Sequence, residues 1–183
     1  MKKIVITLTL MLGMHFLANA QTASATASQS VALSLSNAIA ITFVTSGTNV
    51  GTAVSMPFVT VSDYTNGVTS TSQQIKVQSN KNFNVTVNAG SANFTYSGTS
   101  TPTPTMPVAG VLAIQVATNA TGGTVATAFN SSFGGLTTTA QTLITGGLNG
   151  GNQTFAIQYQ ATPGFAYPAG TYTASVIFSA TQP

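Results

Sequence analysis

Acid–base catalysis needs a positioned titratable side chain, and a nucleophilic Ser, Thr or Cys needs a base beside it. In 183 residues the chain has four Lys or Arg, one Asp or Glu, one His and no Cys. Lys2, Lys3 and His15 fall within the first twenty residues, which leaves Asp63, Lys76 and Lys81 for everything after them. The abundant hydroxyls thus have no imidazole to activate them. A Ser–Lys pair through Lys76 or Lys81 is formally available, but both lysines sit in or near the polar run Ser79-Asn80-Lys81-Asn82 and read as solvated amines. Zinc asks for His, Cys or carboxylate ligands and calcium for several oxygens with carboxylates among them, so one Asp builds neither site. Asp63 itself lies in Ser62-Asp63-Tyr64-Thr65-Asn66-Gly67, where Asn-Gly predicts a turn. The expectation is a protein that is not an enzyme and carries no cofactor or metal.

The glycine pairs at 122–123, 134–135, 146–147 and 150–151 precede no Lys-Ser/Thr and open no helical pattern, so they punctuate loops rather than cradle phosphate. Asn-x-Ser/Thr triplets recur, as they must by chance in a chain this rich in Asn, Ser and Thr, and no glycan is expected.

The elements that would carry any site read as strands. Period-2 alternation runs through Val31–Leu35, Ile75–Val77, Phe83–Val87, Leu112–Val116 and Phe155–Tyr159. It is clearest near the C-terminus, where Tyr172, Ala174, Val176, Phe178 and Ala180 share one face. Fainter candidates are 39–44, 58–61, 93–96 and 141–144. Alternation of this kind belongs to antiparallel sheets with one dry face, and two such sheets bury their apolar sides against each other. The fold predicted is an all-β antiparallel sandwich, immunoglobulin-like or pilin-like, of about nine to ten short strands. Ser79–Asn82 would be a hairpin turn. Residues 97–107 hold three prolines, which remove ladder donors, and read as a surface loop or crossover. Residues 118–152, rich in Gly, Thr and Asn, suit a long hairpin or a mobile loop.

Residues 1–20 have the three zones of a secretory signal: Lys2 and Lys3, then an apolar run from Ile4 to Leu17, then Ala18-Asn19-Ala20 as a small-x-small cleavage site before Gln21. The apolar run is shorter than the roughly twenty residues of a spanning helix. The predicted organisation is a signal peptide over 1–20, a flexible arm over 21–30 and one sandwich domain over 31–183. The mature chain would carry two lysines against one aspartate, a net charge of +1, so the isoelectric point near 9.5 belongs mainly to the precursor. Such a chain has no basic patch with which to bind nucleic acid. An outer-membrane barrel would also alternate, but its strands run to roughly ten residues and carry aromatic girdles at both ends.

The run Pro168-Ala169-Gly170-Thr171-Tyr172-Thr173-Ala174-Ser175-Val176-Ile177-Phe178 resembles the closing strand of bacterial surface sandwiches. WxL domains end in a Tyr, three residues, then an apolar strand carrying Trp and a final Pro. Tyr172, Val176, Phe178 and Pro183 follow that order, with Phe178 where the family has Trp. Spore coat U-like and related pilin domains end in a similar Gly-Thr-Tyr strand, here Gly170-Thr171-Tyr172. The first resemblance implies noncovalent attachment to the cell wall or surface. The second implies a filament subunit completed by a donated strand, for which residues 29–44 would be the arm. The stronger expectation is that the same residues are the first strand or two of their own sandwich.

Two functions follow. One is a secreted or cell-surface structural or adhesive protein that assembles with itself or with other surface proteins, which low charge favours because self-repulsion is minimal. The other is a monomeric module binding peptidoglycan or another wall polysaccharide. For that role Tyr167, with Phe165 beside it in Pro163-Gly164-Phe165-Ala166-Tyr167-Pro168, is the foremost ligand contact.

Overall fold

A computed structural model describes residues 24–45, 51 and 53–183. The cleavage site Ala18, Ala20 and Gln21 lies outside the described residues. The chain divides into two units, Met1–Leu35 and Ser36–Pro183. In the first, residues 24–35 carry neither helix nor strand and are exposed. This corrects the expectation of a strand over Val31–Leu35: Val31, Leu33 and Leu35 are 77%, 84% and 91% exposed. Alternation marks which side chains could share a face, but a strand also needs a neighbour's N–H and C=O groups, and among the described residues none pairs with this one.

Among the described residues of the second unit the alternating runs become twelve strands, with short elements between them. These are β1 (Ile39–Phe43), β2 (Val68–Thr69), β3 (Gln73–Ser79), β4 (Phe83–Ala89), β5 (Thr95–Ser97) and β6 (Leu112–Asn119). They continue with β7 (Thr124–Val125), β8 (Gly134–Gly135), β9 (Gln141–Gly147), β10 (Gly150–Ala161), β11 (Thr171–Thr173) and β12 (Val176–Thr181). One sheet runs β1-β3-β10-β6-β8, with β2 also on β10; the other runs β12-β4-β9-β7; β11 and β5 form a separate ribbon. Every strand pair among the described residues is antiparallel. The sheets do not close into a barrel among the described residues, which sets the barrel alternative aside.

The inner faces are those the alternation assigns. Ile75 and Val77 of β3, Phe83, Val85 and Val87 of β4, and Ile114 of β6 are at most 1% exposed. On β10 three consecutive residues, Phe155, Ala156 and Ile157, are buried, because the register against β6 shifts between Ala156 and Ile157.

The twelve strands exceed the nine to ten expected for two reasons. Two-residue strands at β2, β7 and β8 are too short to show a period. The C-terminal run also divides at Ala174-Ser175, since Thr171–Thr173 pairs with β5 while Val176–Thr181 pairs with β4. Its facing is as read from the sequence, with Tyr172, Ala174, Val176, Phe178 and Ala180 half-buried and the residues between them exposed.

Ser79–Asn82 is not a hairpin turn. It carries the chain from one sheet to the other, so β3 and β4 lie in different layers. Ser79 Oγ donates to Lys81 O at 2.5 Å, and Asn80 clamps the residues before β1, its Nδ2 donating to Ser36 O (2.7 Å) and its Oδ1 accepting from Ala38 N (2.9 Å). Gln182 Nε2 joins the same corner, donating to Ala38 O, Ser79 Oγ and Asn80 Oδ1. Residues 98–111 form no strand, as the prolines require, and cross from β5 to β6 with Val108 in the core.

Candidate functional site

Two places combine exposed apolar surface with defined geometry. The first is an aromatic shelf built on a short helix. Residues 58–61, read as a faint strand, instead lead into α1 (Val61–Asn66). Thr60 caps it: Asp63 N donates to Thr60 Oγ1 (3.3 Å), while Asp63 Oδ2 accepts from Thr60 N (2.7 Å) and Val59 N (2.8 Å). This reciprocal capping box satisfies backbone donors that a helix start otherwise leaves open. The backbone N–H groups of Thr60 and Val59 hold the Asp63 carboxyl below its ordinary range. Gly67 ends the helix at φ +80°, a conformation that L side chains rarely adopt. The predicted turn at Asp63 is thus one and a half turns of helix, and its Oδ2 accepts both capping bonds.

The helix presents Tyr64. Its ring stacks on Phe165 (centroids 5.5 Å apart, planes at 23°) and tilts against Phe58 at 5.5 Å. Phe165 belongs to the loop of residues 162–170 and is 67% exposed. Tyr167 in the same loop meets Tyr172 edge-on at 6.3 Å, and Tyr172 packs on Tyr96 at 5.0 Å across the β11–β5 ribbon. Two phenols pin the loop: Tyr172 Oη donates to Pro168 O (2.8 Å), and Tyr96 Oη donates to Ala169 O (3.0 Å) while accepting from Ser100 N (3.2 Å). A hollow of about 210 Å³ lies between the loop and α1, with Phe58, Tyr64, Met106, Tyr167 and Tyr172 among its walls. The sequence singled out Tyr167 and Phe165; the structure places each beside a ring partner, Tyr172 and Tyr64. The signal for Tyr64 was present in the spacing Thr60-x-x-Asp63 ahead of it.

The second place is the seam where edge strands β1 and β12 lie on the same side of the sandwich. Neither has a strand partner on its outer side among the described residues. Central strands bury their inward side chains completely, but here Ile41, Phe43, Val176, Phe178 and Ala180 are only half-buried. Phe43 meets Phe178 edge-to-face at 5.9 Å. Of the family-like strand residues, Val176 and Phe178 thus line the seam, and Tyr172 holds the loop. Beyond β1 the seam widens into a groove of about 840 Å³, walled in part by Val54, Met56, Phe58, Leu112 and Val176. Ile39–Phe43, the distal part of the suspected donor arm, is strand β1 of its own sheet, paired with β3 from Ile39–Ser79 to Phe43–Ile75.

The titratable groups set the pH response. Asp63 is the one acidic side chain in the sequence, and its lowered pKa favours the fold above the ordinary carboxylate range; that contribution is lost as pH falls through the folded value. Burial raises the Tyr159 phenol, and desolvation with the neighbouring phenols Tyr96, Tyr167 and Tyr64 raises Tyr172. Above about pH 10 the unfolded chain releases those protons while the folded chain retains them, so stability falls. Thermal melts from acid to alkali should show a flat plateau between about pH 5 and 9 and a decline above it. A steep change inside the plateau would contradict this assignment.

The chain matches no protein-family model and no curated protein.

Proposed function

We propose that the protein is exported and works outside the cell as a non-catalytic structural or adhesive subunit that associates with further copies of itself or with other surface proteins. The observation that carries this reading is the exposure of Val31, Leu33 and Leu35 at alternate positions of residues 24–35. Three such side chains in one row are an apolar strand face without a sheet. The β1/β12 seam is the complementary half, since it offers open backbone edges and half-buried inner-face residues. Adding an extended segment to a free sheet edge gains main-chain hydrogen bonds, with alternate side chains filling the apolar pockets. A net charge of +1 beyond residue 20 leaves little repulsion between copies. The reading agrees with the resemblance of the C-terminal strand to spore coat U-like and pilin domains.

The test is the mass of the purified protein in solution over a wide concentration range, beside a variant lacking residues 24–35. Growth of the intact protein into multimers, with a folded monomer after deletion, supports the reading. A monomer at every concentration for both would overturn self-association.

A further inference from the structure

The aromatic shelf adjoins the groove that continues the seam, with Phe58, Tyr64, Met106 and Tyr172 lining both hollows, and its geometry points to a ligand of its own. We propose that Phe165, backed by Tyr64, and the adjoining hollow bind one sugar unit of a neutral, β-linked polysaccharide. Phe165 is a large apolar ring, yet it is 67% exposed while Tyr64 stacks on it at 23°, so a flat aromatic face is held out to solvent. The loop carrying it is fixed in advance, with the Pro168 and Ala169 carbonyls held by the Tyr172 and Tyr96 hydroxyls. A preformed site avoids the ordering cost that a mobile loop adds to binding. At Gly170 a side chain would collide with the Tyr96 ring, so the loop's approach to its anchor requires glycine.

Chemistry selects the ligand class. The one acidic side chain in the sequence, Asp63, has its Oδ2 held in the helix cap, and the lysines beyond residue 20 sit on β3 and at the Ser79–Asn82 corner, so the shelf has no cationic side chain to recognise an anionic ligand. The hollow, at about 210 Å³, is smaller than the roughly 300–1,000 Å³ of sites for drug-sized ligands and suits one ring of a longer chain. Pyranoses with equatorial substituents present a flat face of C–H groups that stacks on an aromatic ring, and their hydroxyls can reach the phenols of Tyr64 and Tyr167 at its margin. A proline-rich peptide prefers an aromatic-lined groove that holds an extended helix. Here one ring face stands out beside a small hollow.

Five tyrosines and no tryptophan make tyrosine emission a direct readout. The purified protein is titrated with cellohexaose, chitohexaose and a proline decamer. The expected result is a saturable change with at least one hexasaccharide, weakened about tenfold by Phe165→Ala and retained by Phe165→Tyr, with unchanged circular dichroism. No saturation up to about 10 mM of either saccharide, equal affinity in Phe165→Ala, or binding of the proline decamer alone would overturn the proposal. Leu33 and Leu35 line neither the hollow nor the groove beside it, so a variant with Leu33→Asp and Leu35→Asp should bind the saccharide as the native protein does.

Discussion

Replacing Phe83 with alanine is expected to lower the unfolding free energy by about 3–5 kcal/mol. The ring opens β4, is 0% exposed and belongs to the main core cluster. The backbone of β9 passes close against it: a Cβ added at Gly147 would lie 2.6 Å from its tip. Truncation therefore removes a buried aromatic and leaves a space whose walls are strand backbone, which collapse poorly. Domains of this size hold about 5–15 kcal/mol in all, so the variant should lie near the edge of folding. Denaturant titration followed by tyrosine emission and circular dichroism measures the change. A loss under about 1 kcal/mol would mean that the β4–β9 interior is not packed as described. Gly147→Ala probes the same contact from the other side, and overpacking there should cost about 1–3 kcal/mol.

The second large effect is face-specific. Leu33→Asp and Leu35→Asp are each expected to suppress self-association, while Ala32→Asp and Ser34→Asp leave it nearly intact. All four substitutions add the same charge to neighbouring positions, so general electrostatics cannot separate the pairs. Only a segment that binds as a strand, with alternate residues on opposite sides, distinguishes them. Each leucine buried on association contributes about 1.5–3 kcal/mol. Losing one and placing a carboxylate in its pocket should weaken association by about a hundredfold or more. Sedimentation over a range of concentrations gives the answer. Equal loss in all four variants would point to non-specific clustering, and no loss in any would remove the segment from the interface.

Much of the fold was legible because alternation directly encodes which side chains face the core. β3, β4, β6, β10 and β12 lie where the period places them, with the inward residues inward. What the period cannot encode is which strand sits next to which. A run such as Ile75–Val77, a polar turn and Phe83–Val87 looks the same whether the two strands pair edge to edge or face each other across the core. The difference lies in long-range partners, Ile41 and Phe155 for β3 and Phe178 for β4. The period also overreached at Val31–Leu35, where the pattern is present without a partner. It fell short at α1, where six residues are too few to show helical periodicity and the capping pair Thr60 and Asp63 was the signal. At the shelf, composition and position singled out Phe165 and Tyr167, but their backing by Tyr64 and Tyr172 depends on the helix and the β11–β5 ribbon.

The corner at Ser79–Asn82 has a consequence for how the chain reaches its structure. Because β3 and β4 part there, and β9 and β10 part likewise, the sheets are built from strands distant along the chain: β3 with β10, β6 with β10 and β4 with β12. Such a topology has little local structure to nucleate on, and its loops must close before their contacts contribute, so refolding should be slow for the chain's size. During synthesis from the N-terminus, β4 remains without its outer neighbour until Val176–Thr181 has emerged. β3 likewise waits for Gly150–Ala161. For most of that time β3 has only β1 beside it and β4 has neither neighbour, so their apolar faces lack complete sheets and the nascent chain stays pliable, a state in which it is open to helpers and also to aggregation.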